Sequence, residues 1–366
     1  MENNNYNPYE ITTANNLTAE EAKFQIKQCS GRNSVLLLIF FGFTFLISII
    51  AGLLYGADII SYSVANIISM MGIYVIIVPV CLIIGNKNQK HTTKTYFQKS
   101  KMKASEWFKW SCILFTCNIA VNFVFSSIFE FISKLVQNQT GESLNALDIT
   151  DVASNSAVFL FFNFLAMGIC APVFEELLLR GTSLTHTLPY GQWFSFIVIG
   201  VSFGVLHGNF QQMFYASFLG VFLCFIAFKA KSIIPAIGTH MFINLPSAIL
   251  ITASSTLDIK KFEELSKKVE GENYTAEQMK ELTDFVIDNG WKFAAIFIVV
   301  VFMIVAFIIG LFQLVKKLRY YRDDFECGNT CPVLTNKQKF AAYLSSPVTI
   351  MFFVLVIAYA VWYAMQ

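Results

Sequence analysis

The sequence predicts an all-α, polytopic transmembrane bundle of about eight to nine helices, and three observations predict it. Of 366 residues, 55% are hydrophobic and only 14% charged, where a soluble domain holds about 45–50% and ~25%. Apolar runs of the length needed to cross a bilayer, about 20 residues for ~30 Å of hydrocarbon, recur along the chain. These runs lack the alternation of a barrel strand, and backbone groups in lipid must bond within their own segment, so they are helices. The same composition excludes a disordered chain, which needs low hydrophobicity and high net charge. A net charge of +2 excludes the strongly basic surface of a nucleic-acid binder. Several of the eight cysteines (Cys81, Cys112, Cys117, Cys170, Cys224) sit inside apolar runs and serve as small apolar fillers, not as a disulfide framework.

In chain order, residues 1–34 read as a polar N-terminal tail. They hold Glu20, Glu21, Lys23 and Lys27 and lack a basic stretch leading into a short apolar core, so they are not a cleavable signal. Residues 35–154 carry N-terminal transmembrane helices, with spans at 35–55, 64–84 and about 111–133. A core over 155–250 holds runs at 157 to about 179, 194–206, 213–228 and 233–251. A polar connection over 251–292 follows, in which Thr275 and Gln278 have the spacing of a capping box for a short helix. C-terminal transmembrane helices fill 293–366, with runs at 293–314 and 348–365.

Basic connections stay on the cytoplasmic side. The segment from Lys87 to Lys109 has seven lysines and one acid, Glu106, and is expected inside. Counting spans from it puts the N-terminus, the Lys229/Lys231 turn and the Lys316, Lys317, Arg319, Arg322 cluster inside as well. The connections around 142–151 and 252–292 then fall outside. The chain is expected to be an integral, multi-pass membrane protein, in the plasma membrane if bacterial, with lipids as its surroundings.

Charged groups at the centre of a spanning helix cost about 2.5–3.5 kcal/mol each even on the lenient insertion scale, which makes them functional candidates. Here they cluster: Glu175, Glu176 and Arg180 in the fourth span, His207 ending the fifth, and His240 with Asn244 in the seventh. Glu176 and Arg180, four apart with the acid first, form a favourable pair along one face. Glu175 lies about 100° around the helix, without that partner, and is the candidate base. His240 and Asn244 share a face and can point donors at one oxygen, as an oxyanion hole does. Helical rise places Glu175 and His207 level, roughly 20–25 Å from the turn at Pro189 to Gly191, but leaves His240 about 10 Å short of them.

Each group alone has a structural reading, an ion pair or a helix–helix hydrogen bond. Their conjunction in successive helices points to function. His91 and His186 are expected to be solvated, and Glu130 with Lys134 to snorkel at a span end. Gly200-Val-Ser-Phe-Gly204 fits a nucleophile elbow in letters only, since that motif needs a strand before the turn; as Gly-xxx-Gly it packs helices closely. Cys327 and Cys331 lack the further ligands of a metal site.

Glu175-Glu176-xxx-Arg180, Phe203-xxx-His207 and His240-xxx-Asn244, in that order on successive spans, resemble the three motifs of the CPBP intramembrane protease family. That family includes the type II CAAX prenyl endopeptidases and bacterial proteins linked to bacteriocin processing, self-immunity and lysostaphin resistance. The resemblance covers roughly residues 155–250. It implies hydrolysis of a peptide bond in a membrane-associated peptide or protein C-terminal tail. Glu175 and His207 would activate water, His240 and Asn244 would hold the oxyanion, and Glu176 and Arg180 would support the site. A metal-free glutamate mechanism is favoured, which requires no cofactor; zinc on Glu175, His207 and His240 remains the other option. The alternative in a different class is a non-catalytic immunity or binding protein, or a transporter, using the same polar cluster. No nucleic-acid partner is implied.

Overall fold

The computed structural model describes residues 7–9, 14, 16–87, 93–140, 144, 157–270, 274–320, 325, 327–328 and 330–365. His91 and most of the connection around 142–151 lie outside them. All regular structure among the described residues is helical.

Helix α1, Ala19–Gly56, starts well before its apolar run. The Thr18/Glu21 capping box starts it: the Glu21 N–H donates to Thr18 Oγ1 at 3.3 Å and the Thr18 N–H to Glu21 Oε2 at 2.8 Å, satisfying two orphan donors reciprocally. The second half of the expected polar tail is therefore helix. Its polar face is buried, with Ser30 Oγ donating to Tyr343 O at 2.6 Å and Asn33 Nδ2 to Ser183 O at 3.3 Å.

Helix α2, Tyr62–Asn86, contains a π-helical turn at Ile73–Ile77. Helices α3, Ala104–Thr140, and α4, Ala157–Tyr190, follow; α4 has π-helical turns at Ala166–Cys170 and Leu177–Ser183. Pro79 and Pro172 stand just past the turns at Ile73–Ile77 and Ala166–Cys170. A proline has no N–H to give and its ring crowds the carbonyl four residues back, so the ladder widens upstream of it.

Helix α5, Gln192–Leu206, has 15 residues, about 22 Å, short of the ~30 Å core. His207 caps it, Gly208 turns the chain at φ 67°, and Asn209 caps α6, Phe210–Ala230, by accepting the Gln212 N–H at 2.8 Å. Helices α5 and α6 press together through Gly200, Gly204 and Gly220. A side-chain carbon at Gly204 would collide with Met213 O and Ser217, and one at Gly200 with the Val221 backbone. The Gly200/Gly204 pair is thus a packing face, and Ser202 is buried, donating to Val198 O at 2.7 Å.

Helix α7 is Ile234–Ser255. The polar connection then folds into α8, Ile259–Lys268, and α9, Ala276–Asp288, the latter started by the expected Thr275/Gln278 capping box. Helices α10, Gly290–Tyr320, α11, Asn336–Leu344, and α12, Pro347–Ala364, complete the chain. Among the described residues, eight helices, α1 to α4, α6, α7, α10 and α12, are long and apolar enough to cross a membrane, as an integral multi-pass protein requires.

Candidate active site

Consecutive carboxylates on α4 point to different surroundings. Glu176 is fully buried, and Arg180 Nη1 donates to its Oε1 at 2.8 Å. Arg180 is fully buried too; its Nη2 donates to Gly220 O at 3.0 Å and its guanidinium lies 4.8 Å from the centre of the Phe203 ring. Burying an ion pair is tolerable only when its remaining hydrogen-bonding groups are also served; the carbonyl and ring face serve part of the guanidinium, while Arg180 Nε and Glu176 Oε2 are buried without a hydrogen-bond partner among the described residues. Glu175 instead lines a cavity of about 490 Å³ together with His207, His240 and Asn244.

Protein partners assign the ring protons. His207 Nδ1 lies 2.9 Å from Phe203 O; a carbonyl only accepts, so Nδ1 carries the hydrogen and the neutral ring keeps its Nε2 lone pair free. His240 Nδ1 lies 3.0 Å from Glu176 Oε1, and its Nε2 stands 4.0 Å from Glu175 Oε2. Asn244 Nδ2 donates to Met167 O at 3.3 Å, leaving that group a second proton to give.

The expected 10 Å shortfall of His240 is absent. The connection into α7 is already inside the protein, since Ser232 and Ile233 are fully buried and the Ile233 N–H donates to Tyr96 O at 3.1 Å. On the other side, the wide turns at Leu177–Ser183 advance less per residue than an α-helix, which lowers Glu175 toward the Pro189 end.

Among the described residues, no three His, Cys, Asp or Glu side chains are gathered to hold a metal ion. Glu175, His207 and His240 have the donor chemistry of a zinc site without its convergence, and the Cys327/Cys331 pair gains no further ligands.

One outlying expectation is corrected: His186 is not simply solvated, because its Nδ1 lies 3.3 Å from Asn33 Oδ1. Glu130 and Lys134 form an exposed pair at 2.7 Å, at the favourable i,i+4 spacing. Sequence reasoning passed over Asn118, Tyr74 and Gln212, which line the same cavity; amides in otherwise apolar runs were the available signal.

Residues 157–246 match the family model described as type II CAAX prenyl endopeptidase Rce1-like. That segment of the chain is similar to the family. All seven motif residues, Glu175 through Asn244, lie within residues 157–246, which supports the CPBP resemblance and, in general terms, a CAAX-type intramembrane protease. No curated protein and no solved structure matches the chain. Helices α1 to α3, α10 and α12 lie outside the matched residues, and α2, α3 and α10 nevertheless contribute cavity wall.

Proposed function

We propose that the protein is an intramembrane endopeptidase that hydrolyses a membrane-associated peptide or a protein C-terminal tail. The observation that carries this reading is the meeting of Glu175, His207, His240 and Asn244 around one cavity. Water held between Glu175 and the free Nε2 of His207 gives a proton to the Glu175 carboxylate as its oxygen attacks the scissile carbonyl. The oxyanion accepts a hydrogen bond from the second Nδ2 proton of Asn244 and faces the Nε2 edge of His240. As the carbon–nitrogen bond breaks, Glu175 returns its proton to the leaving amine, giving an amine and a carboxylic acid, which ionises in water on release. Glu176 and Arg180 hold His240 in place from behind.

The test uses purified protein in lipid nanodiscs and a quenched-fluorescent decapeptide ending in a farnesylated C-a-a-X sequence, beside an unprenylated acylated peptide pool. Glu175→Gln and His207→Ala are expected to lower the cleavage rate by about 10²–10⁴-fold, the range of acid–base catalysis. Wild-type protein that binds these peptides without cutting them, with binding unchanged in both variants, would instead support the non-catalytic binding reading.

A further inference from the structure

Helix α3 lies outside the matched residues, yet it packs against α6, α7 and α10 and forms part of the cavity wall. Its polar side chains mostly find partners. Thr116 Oγ1 donates to Cys112 O or Phe307 O, each at 3.0 Å, and Ser111 meets the Thr239 hydroxyl at 2.8 Å. Asn118 is the exception. It lines the cavity and is 9% exposed, and its Oδ1 is sealed from solvent with no hydrogen-bond partner among the described residues. A buried amide oxygen left unpaired is destabilising, and Phe115, Ile119 and Met303, which line the cavity beside it, offer no partner. The terminal torsion of asparagine is broad and roughly two-fold, so the carboxamide can turn its oxygen to a guest in the cavity.

The register of α3 against α7 locates that oxygen. The two helices run in the same direction, because Trp107 Nε1 and Ser111 both meet Thr239 while Phe108 and Phe115 both meet Phe242. Asn118 stands seven residues beyond Ser111 and Asn244 five beyond Thr239, so they are level within about 3 Å at 1.5 Å per residue. An extended peptide presents N–H and C=O groups at regular intervals along its edges. A chain whose scissile carbonyl lies at Asn244 therefore passes an N–H beside Asn118.

We propose that Asn118 is a substrate-binding residue whose Oδ1 accepts a hydrogen bond from a backbone N–H of the peptide in the cavity, setting its register against Glu175 and Asn244. The substrate class is thus an extended segment with a free backbone amide at that position. This rests on the peptidase reading, and the experiment separates the two.

Binding of the fluorescent farnesylated decapeptide is measured by anisotropy on the Glu175→Gln protein, and cleavage of the same peptide is measured on the Glu175-intact protein. Asn118→Leu, which keeps the side-chain volume, is expected to weaken binding about 10-fold and raise KM in parallel with kcat nearly unchanged, as for uniform binding lost. Asn118→Asp, which keeps an acceptor, is expected to restore most of it. N-methylating the peptide amides one at a time should locate a single position whose methylation weakens binding to the Glu175→Gln protein about 10-fold and adds nothing on top of Asn118→Leu. Unchanged binding in Asn118→Leu, additive losses at every amide, or no binding to the parent protein overturns the proposal. Tight binding that depends on Asn118 without any cleavage sustains it and ends the peptidase reading instead.

Discussion

Glu176 Oε1 stands 3.0 Å from His240 Nδ1 and 2.8 Å from Arg180 Nη1, so one buried carboxylate oxygen ties α4 both to itself and to α7. Removing it strands a buried guanidinium. Breaking one partner of a buried pair costs about 3–5 kcal/mol, because the remaining charge is left uncompensated. Glu176→Ala is therefore expected to lower the unfolding temperature strongly in detergent or nanodiscs. Glu176→Ala with Arg180→Met should recover much of the loss, and equal melting of the single and double variants would contradict the pairing.

Arg180→Lys tests the fork rather than the charge. Arg180 reaches Glu176 and Gly220 O with different nitrogens and sets its guanidinium carbon 4.8 Å from the centre of the Phe203 ring; an ammonium cannot serve all three. The variant is expected to lose about 1–3 kcal/mol, the scale of a charge-assisted hydrogen bond removed. Thermal melting beside the parent decides it, and a lysine variant that melts like the parent would show that charge alone suffices.

Long helices and the cluster Glu175, Glu176, Arg180, His207, His240 and Asn244 were legible because run length and helical spacing are properties of the chain itself. What was not legible depended on tertiary contact. The helical first turns of α1 read as tail because Ser30 and Asn33 look solvent-facing until Tyr343 and Ser183 supply their partners. The α5 run at 194–206 read as a span, although a helix of 15 residues only reaches a buried turn. The depth of His240 was underestimated because a Lys-flanked turn reads as surface, whereas Ile233 starts α7 beneath Tyr96. Asn118 carried no motif, and only the cavity distinguishes it from any other amide.

Close approach of α5 and α6 is the second dependence of the site, since it places His207. Gly204→Ala is expected to destabilise the protein by about 1–3 kcal/mol or more, the range for overpacking a filled interface, because the added carbon meets the Met213 carbonyl and Ser217 rather than a flexible chain end. Gly42→Ala, where nothing lies within 4 Å, is the control and should melt like the parent. Equal behaviour of the two variants by thermal melting would refute the close packing.

Outside the spans, Lys339 on α11 is 1% exposed, and burial pushes its ammonium below the ordinary 10.5. The unfolded chain then holds this proton more tightly than the folded one, so the stability at this site rises with pH across the window between the depressed and ordinary values. Below that window the penalty is fully present. Lys339→Met is expected to melt about 2 °C higher at neutral pH, with the difference shrinking as pH climbs toward the ordinary lysine range. A variant that melts lower than the parent at every pH would mean that the ammonium's contacts outweigh its burial.

Metal removal tests the favoured chemistry most directly. Glu175, His207 and His240 offer zinc-type donors, and both rings have Nδ1 fixed by a protein acceptor, the arrangement that orients metal-binding histidines elsewhere. Yet the three are not drawn together as a ligand set among the described residues, and a Glu175 to His240 separation of 4.0 Å suits a bridging water or substrate oxygen. Cleavage is therefore expected to stay within about twofold under 1,10-phenanthroline and EDTA, where a catalytic zinc site would lose its Lewis acid. Chelator-sensitive activity that returns on adding zinc would transfer the work of water activation from the Glu175 carboxylate to a bound ion.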